Sequence, residues 1–183
     1  MRAVEIVFAA GWAAFWAYWL VVAAFSKRGH VEWSREVRAR AVIILLVIVL
    51  VRLGTFRHAA LDDRSAWRAT TGLVLWAAGL GYAIWARVHI GRNWGTPMSR
   101  KDETELVTTG PYRQVRHPIY TGIVVAGVGT AIALSWVWLI ATALAAVYFT
   151  YSARVEERNL ARELPDAYPA YRRSTKMFLP YLW

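Results

Sequence analysis

The chain has 183 residues, of which 57% are hydrophobic and 19% are charged, with eleven tryptophans and no cysteine. This composition excludes an intrinsically disordered chain and a disulfide-bonded scaffold. The net charge of +10 would suit a nucleic-acid-binding protein, but the sequence carries no basic-aromatic recognition module. Because the charges fall between long apolar runs, the composition indicates a small polytopic membrane protein.

Apolar runs predict three transmembrane helices in the first half of the chain. Residues 4–25 are long enough to cross about 30 Å of hydrocarbon, and they lack the cleavage region of a signal peptide. The run at 41–51 is shorter, so its helix must extend past the flanking arginines, whose side chains can reach the interface. Residues 70–86 form the third span. Its small packing positions are Gly72, Gly79 and Gly81.

No charged side chain occurs between Pro118 and Ala153. A single helix of that length would be about 54 Å long, nearly twice the hydrocarbon thickness, so the segment must fold back. We therefore predict a hairpin of two helices, at 119–134 and 136–153, with its turn at 134–136. The predicted fold is all-α, with about five transmembrane helices, this C-terminal hairpin, and a cytoplasmic cofactor-binding insert and tail.

The distribution of lysine and arginine predicts the orientation in the membrane. Seventeen of the 22 basic residues fall in the segments 26–40 and 87–117 and in the tail after 153, which share one face if there are five spans. The opposite face holds five. The positive-inside rule then places the long loop and the tail in the cytoplasm and the N-terminus outside. Nineteen arginines against three lysines indicate a GC-rich bacterial genome, and hence a bacterial inner membrane.

Most polar side chains of the cytoplasmic face lie in an insert at 88–117 and a tail at 154–183. The insert ends in Arg-His-Pro-x-Tyr-x-Gly at 116–122, directly before the uncharged hairpin. The tail opens with Glu-Glu-x-x-Leu at 156–160 and continues with Tyr-x-x-Tyr and Phe-x-Pro. Each motif alone has a structural explanation: the acidic pair suits a solvated helix face, and arginines before a span are common interface anchors. Their combination around one hairpin is more specific.

Together these motifs resemble the isoprenylcysteine carboxyl methyltransferase family, whose wider relatives include phospholipid N-methyltransferases. The resemblance covers about residues 90–180 and implies transfer of a methyl group from S-adenosylmethionine to a lipophilic acceptor. It divides the chain into an N-terminal two-helix membrane segment, 1–69, and a methyltransferase core, 70–183. The implied partners are membrane lipids and a lipophilic or lipidated acceptor, with no nucleic acid and no metal.

The resemblance also implies a site. The donor needs acceptors for its ammonium and ribose, a cation for its carboxylate, and aromatic faces for its sulfonium. The cofactor-binding residues implied are Thr104, Glu105, Leu106, Val107, Tyr112, His117, Pro118, Ile119, Tyr120 and Glu156. The first four resemble a strand-like edge on which the adenosine lies. The implied catalytic residues are Arg116, His117 and Glu157. A carboxylate acceptor is already ionised and needs no strong base, whereas an amine must lose a proton, to Glu157 or His117.

The sequence departs from the family at the position thought to hold an acceptor carboxylate. Family members commonly carry an arginine four residues before the glutamate pair, where this chain has Ser152. Arg154 is the nearest arginine and is assigned to substrate binding, although the two-residue shift turns its side chain by about 200° on a helix. The acceptor is therefore an isoprenylcysteine-like carboxylate or, alternatively, a phospholipid or other amine. An NADPH-dependent lipid reductase and a non-enzymatic scaffold or transporter are further alternatives.

Overall fold

The computed structural model describes residues 2–23, 29–31, 65–94, 99–101 and 105–180. The predicted second span, 41–51, lies outside these residues. The described part holds five α-helices, labelled α1 to α5 in chain order: Arg2–Ala23, Ala66–Ile90, Pro118–Ala133, Trp138–Glu163 and Ala167–Ser174. Two 3₁₀ turns, Gly91–Asn93 and Gly110–Arg113, and two three-residue strands complete the regular structure of the described part.

Among the described helices, α1, α2 and α4 are long and apolar enough to cross a membrane. Helix α3 is also apolar but has only 16 residues, about 24 Å, because it begins at the buried Pro118 and ends before the turn. The fold is thus helical, as predicted. The prediction of five spans stays open, since one of them falls outside the described residues.

Glycines bring α2 and α3 into close contact. A Cβ added at Gly79 would lie 2.5 Å from the backbone of Gly122 and Ala126, and one at Gly72 would lie 2.6 Å from the carbonyl oxygen of Gly129. Small residues at such spacing let two backbones approach closely. Gly81, by contrast, has no atom of the described residues within 4 Å of such a Cβ. Two of the three predicted packing glycines therefore face α3, and Gly81 does not.

The observed α2 is longer than the predicted span and includes two buried arginines near its ends. Arg68 donates from Nη2 to the carbonyl oxygen of Ile132 near the end of α3, at 3.1 Å. Arg87 donates to the carbonyl oxygens of Gly91 at 2.7 Å and of Val22, near the end of α1, at 3.1 Å. A cation near helix C-terminal carbonyls is favourable, so these arginines belong to the helix rather than to loops.

The hairpin turn lies at 134–137, close to the prediction, but α4 runs to Glu163 instead of ending near Ala153. The cause is the placement of the charges. The arginines at four-residue intervals are all exposed, namely Arg154, Arg158 and Arg162, while Glu157 on another face is buried. A helix with one solvated face continues without burying unpaired charge.

The two short strands pair outside the helices. Gly29–Val31 and Ser99–Lys101 form an antiparallel ladder with His30 opposite Arg100. The ladder joins the segment after α1 to the insert. The predicted strand-like edge is different: residues 105–107 form neither strand nor helix, and Thr104 lies outside the described residues.

Candidate active site

The segment that enters α3 is held by the C-terminal tail. Val115 and Lys176 form a parallel β-bridge, the amide of Arg116 donates to the carbonyl oxygen of Lys176 at 2.8 Å, and that of His117 donates to Met177 at 3.1 Å. Thr121 Oγ1 donates to the carbonyl oxygen of Phe178 at 2.9 Å. The tail thereby fixes the backbone that presents the Arg116 and His117 side chains.

A buried ion pair joins this segment to α4. Arg116 Nε donates to Glu157 Oε1 at 2.6 Å, and the two side chains are only 9% and 5% exposed. Arg116 Nη1 donates to the carbonyl oxygen of Thr175 at 2.6 Å, so the same guanidinium also holds the tail. Arg172 adds a second charge 3.6 Å from Glu157 Oε2. These contacts explain how a carboxylate is tolerated inside the protein.

A ladder of aromatic rings holds the other member of the acidic pair. The Tyr120 ring lies between His117, at a centroid distance of 5.5 Å and an angle of 2°, and Phe149, at 4.5 Å and 9°. Its hydroxyl donates to Glu156 Oε1 at 2.5 Å. His117 Nδ1 lies 3.6 Å from Glu156 Oε2. The stacked rings therefore fix the Glu156 carboxylate between α3 and α4.

These groups line a cleft of about 150 Å³ at one end of the helices. Its walls come from the end of α2, residues 105–107, the start of α3, the second half of α4, and α5. The side chains that line it are Ile90, Asn93, Trp94, Glu105, Leu106, Val107, Tyr112, Arg116, His117, Pro118, Ile119, Tyr120, Glu156, Asn159, Leu160, Glu163, Tyr168 and Tyr171. The cleft therefore combines polar and aromatic side chains, which suits a ligand that has both polar and aromatic groups.

The structure brings most of the predicted site residues to this cleft. Of the predicted cofactor residues, those from Glu105 to Val107, Tyr112, the segment His117 to Tyr120 and Glu156 all line it. Arg116 also lines the cleft. Glu157 does not line it and is paired with Arg116. Arg154 is exposed and does not line the cleft, so its placement gives no support to the assigned substrate contact. Ser152 is fully buried.

Several lining residues were not predicted. Asn159, Leu160 and Glu163 follow Glu156 by three, four and seven residues, so helical periodicity would have placed them on its face had α4 been extended. Asn93 and Trp94 come from the turn after α2, where the sequence gives no signal. Tyr168 and Tyr171 belong to a motif used only for the resemblance, and the Tyr171 hydroxyl donates to the carbonyl oxygen of Tyr112 at 2.7 Å.

Tyr112 lies in the 3₁₀ turn Gly110–Arg113. Gly110 has φ +57°, and a Cβ there would lie 2.6 Å from the His89 ring, which stacks near Tyr112 and bonds Thr109 Oγ1 at 2.8 Å. Burial, and then nearby Tyr171 and Glu156, raise the pKa of the Tyr112 phenol far above its ordinary value. The hydroxyl therefore stays protonated at physiological pH and can act as a donor.

A family model described as phospholipid methyltransferase matches residues 67–166, more than half of the chain. The chain belongs to the phospholipid methyltransferase family. The match begins in α2 and ends just before α5, so it contains the hairpin and much of the cleft.

Two curated relatives of this family member carry names from metal resistance. The nickel-cobalt-cadmium resistance protein NccN of Alcaligenes xylosoxydans xylosoxydans is 33% identical over 142 residues, and the cobalt-zinc-cadmium resistance protein CzcN of Cupriavidus metallidurans is 32% identical over 144. Each alignment covers 76% of this chain and 62% of the relative. Within the described residues, no group of three or more His, Asp and Glu side chains is placed to hold a metal ion.

Proposed function

We propose that the protein is an S-adenosylmethionine-dependent methyltransferase of the membrane that acts on a lipophilic acceptor. The observation that carries the proposal is the cleft, where the segment leading into α3 and the acidic face of α4 meet at the end of apolar helices. Membership of the phospholipid methyltransferase family supports the same reaction class. The helices offer an acceptor with a lipid tail a route from the bilayer.

The chemistry of the cleft fits the donor. Glu105, Glu156 and Glu163 supply acceptors for an ammonium and hydroxyls, and Tyr168 and Tyr171 add aromatic side chains to the lining. Tyr168 OH is buried and has no hydrogen-bond partner in the described structure, whereas His117 Nε2 lies 3.4 Å from Glu157 Oε1. Buried polar groups are ordinarily satisfied, so the Tyr168 hydroxyl supports a cleft that binds a polar ligand.

When bound, S-adenosylmethionine supplies a methyl group carried on a positively charged sulfur. The protein contributes alignment and a site poor in water, effects that together lower the barrier by several kcal/mol. Tyr120 holds the Glu156 carboxylate in place, and the Arg116–Glu157 pair keeps the segment before α3 rigid. In this arrangement Arg116 and Glu157 position the site, and His117 and Glu156 face the reactants.

The charges of the cleft favour an amine acceptor over the isoprenylcysteine-like carboxylate. Nε and Nη1 of Arg116 are engaged by Glu157 and by backbone carbonyls. Ser152 offers no cation, and Arg154 is exposed and is not among the residues that line the cleft. A carboxylate would therefore meet three glutamates, whereas an amine is attracted by them. An amine must lose a proton, and His117, which lines the cleft, is better placed to receive it than Glu157, which is paired with Arg116 and does not line the cleft.

Calorimetry on the purified full-length protein tests cofactor binding. We expect S-adenosylhomocysteine to bind the wild type, and Glu156→Gln and His117→Ala to weaken binding at least tenfold with an unchanged melting temperature. Asp166→Asn removes an exposed carboxylate outside the cleft and is the matched control. Unchanged affinity in both cleft variants would contradict the site, and no binding to the wild type would contradict the proposed reaction.

A second experiment separates the acceptor classes. Vesicles containing phosphatidylethanolamine or a prenylcysteine are incubated with the protein and S-adenosylmethionine, and products are identified by mass spectrometry. We expect a methylated amine and no methyl ester. A methyl ester without a methylated amine would contradict the amine proposal and favour the isoprenylcysteine-like carboxylate.

We further propose that the cleft faces the cytoplasm and that residues 70–183 form the catalytic core. The density of arginines in the insert and tail supports the orientation. The span of the family match supports the core.

A further inference from the structure

One face of α4 changes from apolar to basic along the helix. Its apolar part includes the exposed side chains of Val147 and Tyr151. Three exposed arginines follow at intervals of three, four and four residues, namely Arg154, Arg158 and Arg162. Residues at such intervals share one face of a helix. We call these three residues the arginine row.

The arginine row lies on the side of α4 away from the cleft. Glu156 and Glu163 line the cleft, whereas the three arginines do not. Arg154 and Arg158 are each two residues from Glu156, which turns their side chains by about 200° around the helix. The row therefore has no part in the proposed site, and its charges need a separate explanation.

The charges of the row are not balanced within the protein. Among the residues that the structure describes, none of the three arginines forms an ion pair. Like charges four residues apart on a helix repel each other and destabilise it. An anionic partner on this face would remove that repulsion.

The length of α4 places the row at the surface of a bilayer. The helix has 26 residues, or about 39 Å, whereas the hydrocarbon layer is about 30 Å thick. Its residues up to Ala153 carry no charge and suit the hydrocarbon, so the arginine end must leave it. Tyr151, directly before the row, is of a residue type enriched at that boundary. The arginines then follow at the depth of the lipid phosphates.

We propose that the arginine row binds the headgroups of anionic phospholipids. Guanidinium groups bind phosphate oxygens through paired N–H donors, and a headgroup with a net negative charge is attracted more strongly than a zwitterionic one. The acyl chains of the same lipid would lie against Val147 and Tyr151, so that one lipid contacts both parts of the face. This interaction goes beyond the proposed function, because it does not depend on methyl transfer.

Native mass spectrometry of the full-length protein in detergent tests the proposal. It would measure the affinity for the first bound phosphatidylglycerol and phosphatidylcholine, in the wild type and in the variant Arg154→Gln/Arg158→Gln/Arg162→Gln. We expect the wild type to bind phosphatidylglycerol at least about fivefold more tightly, the effect of one basic residue near an anionic surface. The variant should lose most of this preference. Its melting temperature without added lipid should not fall, since repulsion is removed.

The variant Arg113→Gln/Arg173→Gln/Lys176→Gln is the matched control, because it removes three exposed cations outside the row. It should keep the wild-type preference. An equal loss in both variants would overturn the proposal in favour of a diffuse effect of net charge. Equal affinity of the wild type for the two lipids would overturn it without any variant. Displacement of phosphatidylglycerol by the same concentration of inorganic phosphate would also overturn it, and indicate a site for soluble anions.

Discussion

Glu156 and Glu157 are neighbours in the sequence but meet different surroundings. Glu156 receives the Tyr120 hydroxyl at the cleft, whereas Glu157 is buried against Arg116. The sequence predicted a functional acidic pair but could not separate the two roles, because the separation depends on which helix face meets the segment before α3. Asn93 was missed for a related reason: its partner, Glu105, is twelve residues away in the sequence.

At this scale we predict that Glu157→Ala destabilises the protein much more than Glu156→Ala. Removing one member of a buried ion pair leaves the other charge buried and typically lowers stability by about 3–5 kcal/mol. Thermal unfolding of both variants in the same detergent measures the difference. Similar melting temperatures for the two variants would show that the Arg116 contact contributes little to stability.

We also predict that Gly110→Ala is more harmful than Gly91→Ala. Both glycines have positive φ, +57° and +55°, a conformation that L residues rarely adopt, so both substitutions strain the backbone. At Gly110 the new Cβ would also meet the His89 ring, at 2.6 Å, whereas at Gly91 no atom of the described residues lies within 4 Å. Melting temperatures of the two variants check this, and a larger loss for Gly91→Ala would contradict the turn geometry.

At the scale of elements, the uncharged stretch after Pro118 predicted the hairpin well because its length exceeds any single span. The predicted spans stop short of the ends of α2 and α4, because charged residues bound the apolar runs but lie within the helices. The structure instead places Arg68 and Arg87 against backbone carbonyls and the later arginines of α4 on an exposed face. A charged residue therefore marks the end of an apolar surface, but the helix can continue beyond it.

The contact between α2 and α3 gives a prediction of its own. Gly79→Ala should lower stability by about 1–3 kcal/mol, because its Cβ would lie 2.5 Å from backbone atoms of α3. The Cβ of Gly81→Ala, two residues away on the same helix, would meet no atom of the described residues within 4 Å, so this substitution should leave stability unchanged or raise it by up to about 1 kcal/mol. Equal melting temperatures would contradict the close packing.

At the scale of the whole molecule, the outer surface of the long helices is suited to a lipid bilayer. Large apolar side chains remain exposed on α1, α2 and α4, among them Leu20, Trp67 and Val147. Such surfaces are expected where helices face lipid. Composition and hydropathy predict a membrane protein from the sequence alone, because neither depends on contacts between residues. The complete cleft could not be predicted from the sequence, since its walls come from five separate parts of the chain.

The predicted orientation has a direct test, because the chain contains no cysteine. Single cysteines are introduced as Arg158→Cys, on the exposed face of α4 near its end, and Trp136→Cys, in the hairpin turn, where Trp136 is 48% exposed. A maleimide that does not cross membranes should label only Trp136→Cys in intact cells, and both after permeabilisation. Labelling of Arg158→Cys alone in intact cells would contradict the predicted orientation and indicate the opposite one.

The contacts between Phe178 and Thr121, and between Lys176 and Arg116, also constrain the timing of maturation. A ribosome releases the N-terminal parts of a nascent protein first, so α2, α3 and α4 can enter the bilayer before the tail has been made. About sixty more residues must then be synthesised before the tail backbone that holds His117 is available. A polypeptide stopped before Lys176 would insert like the finished one and still lack an ordered cleft.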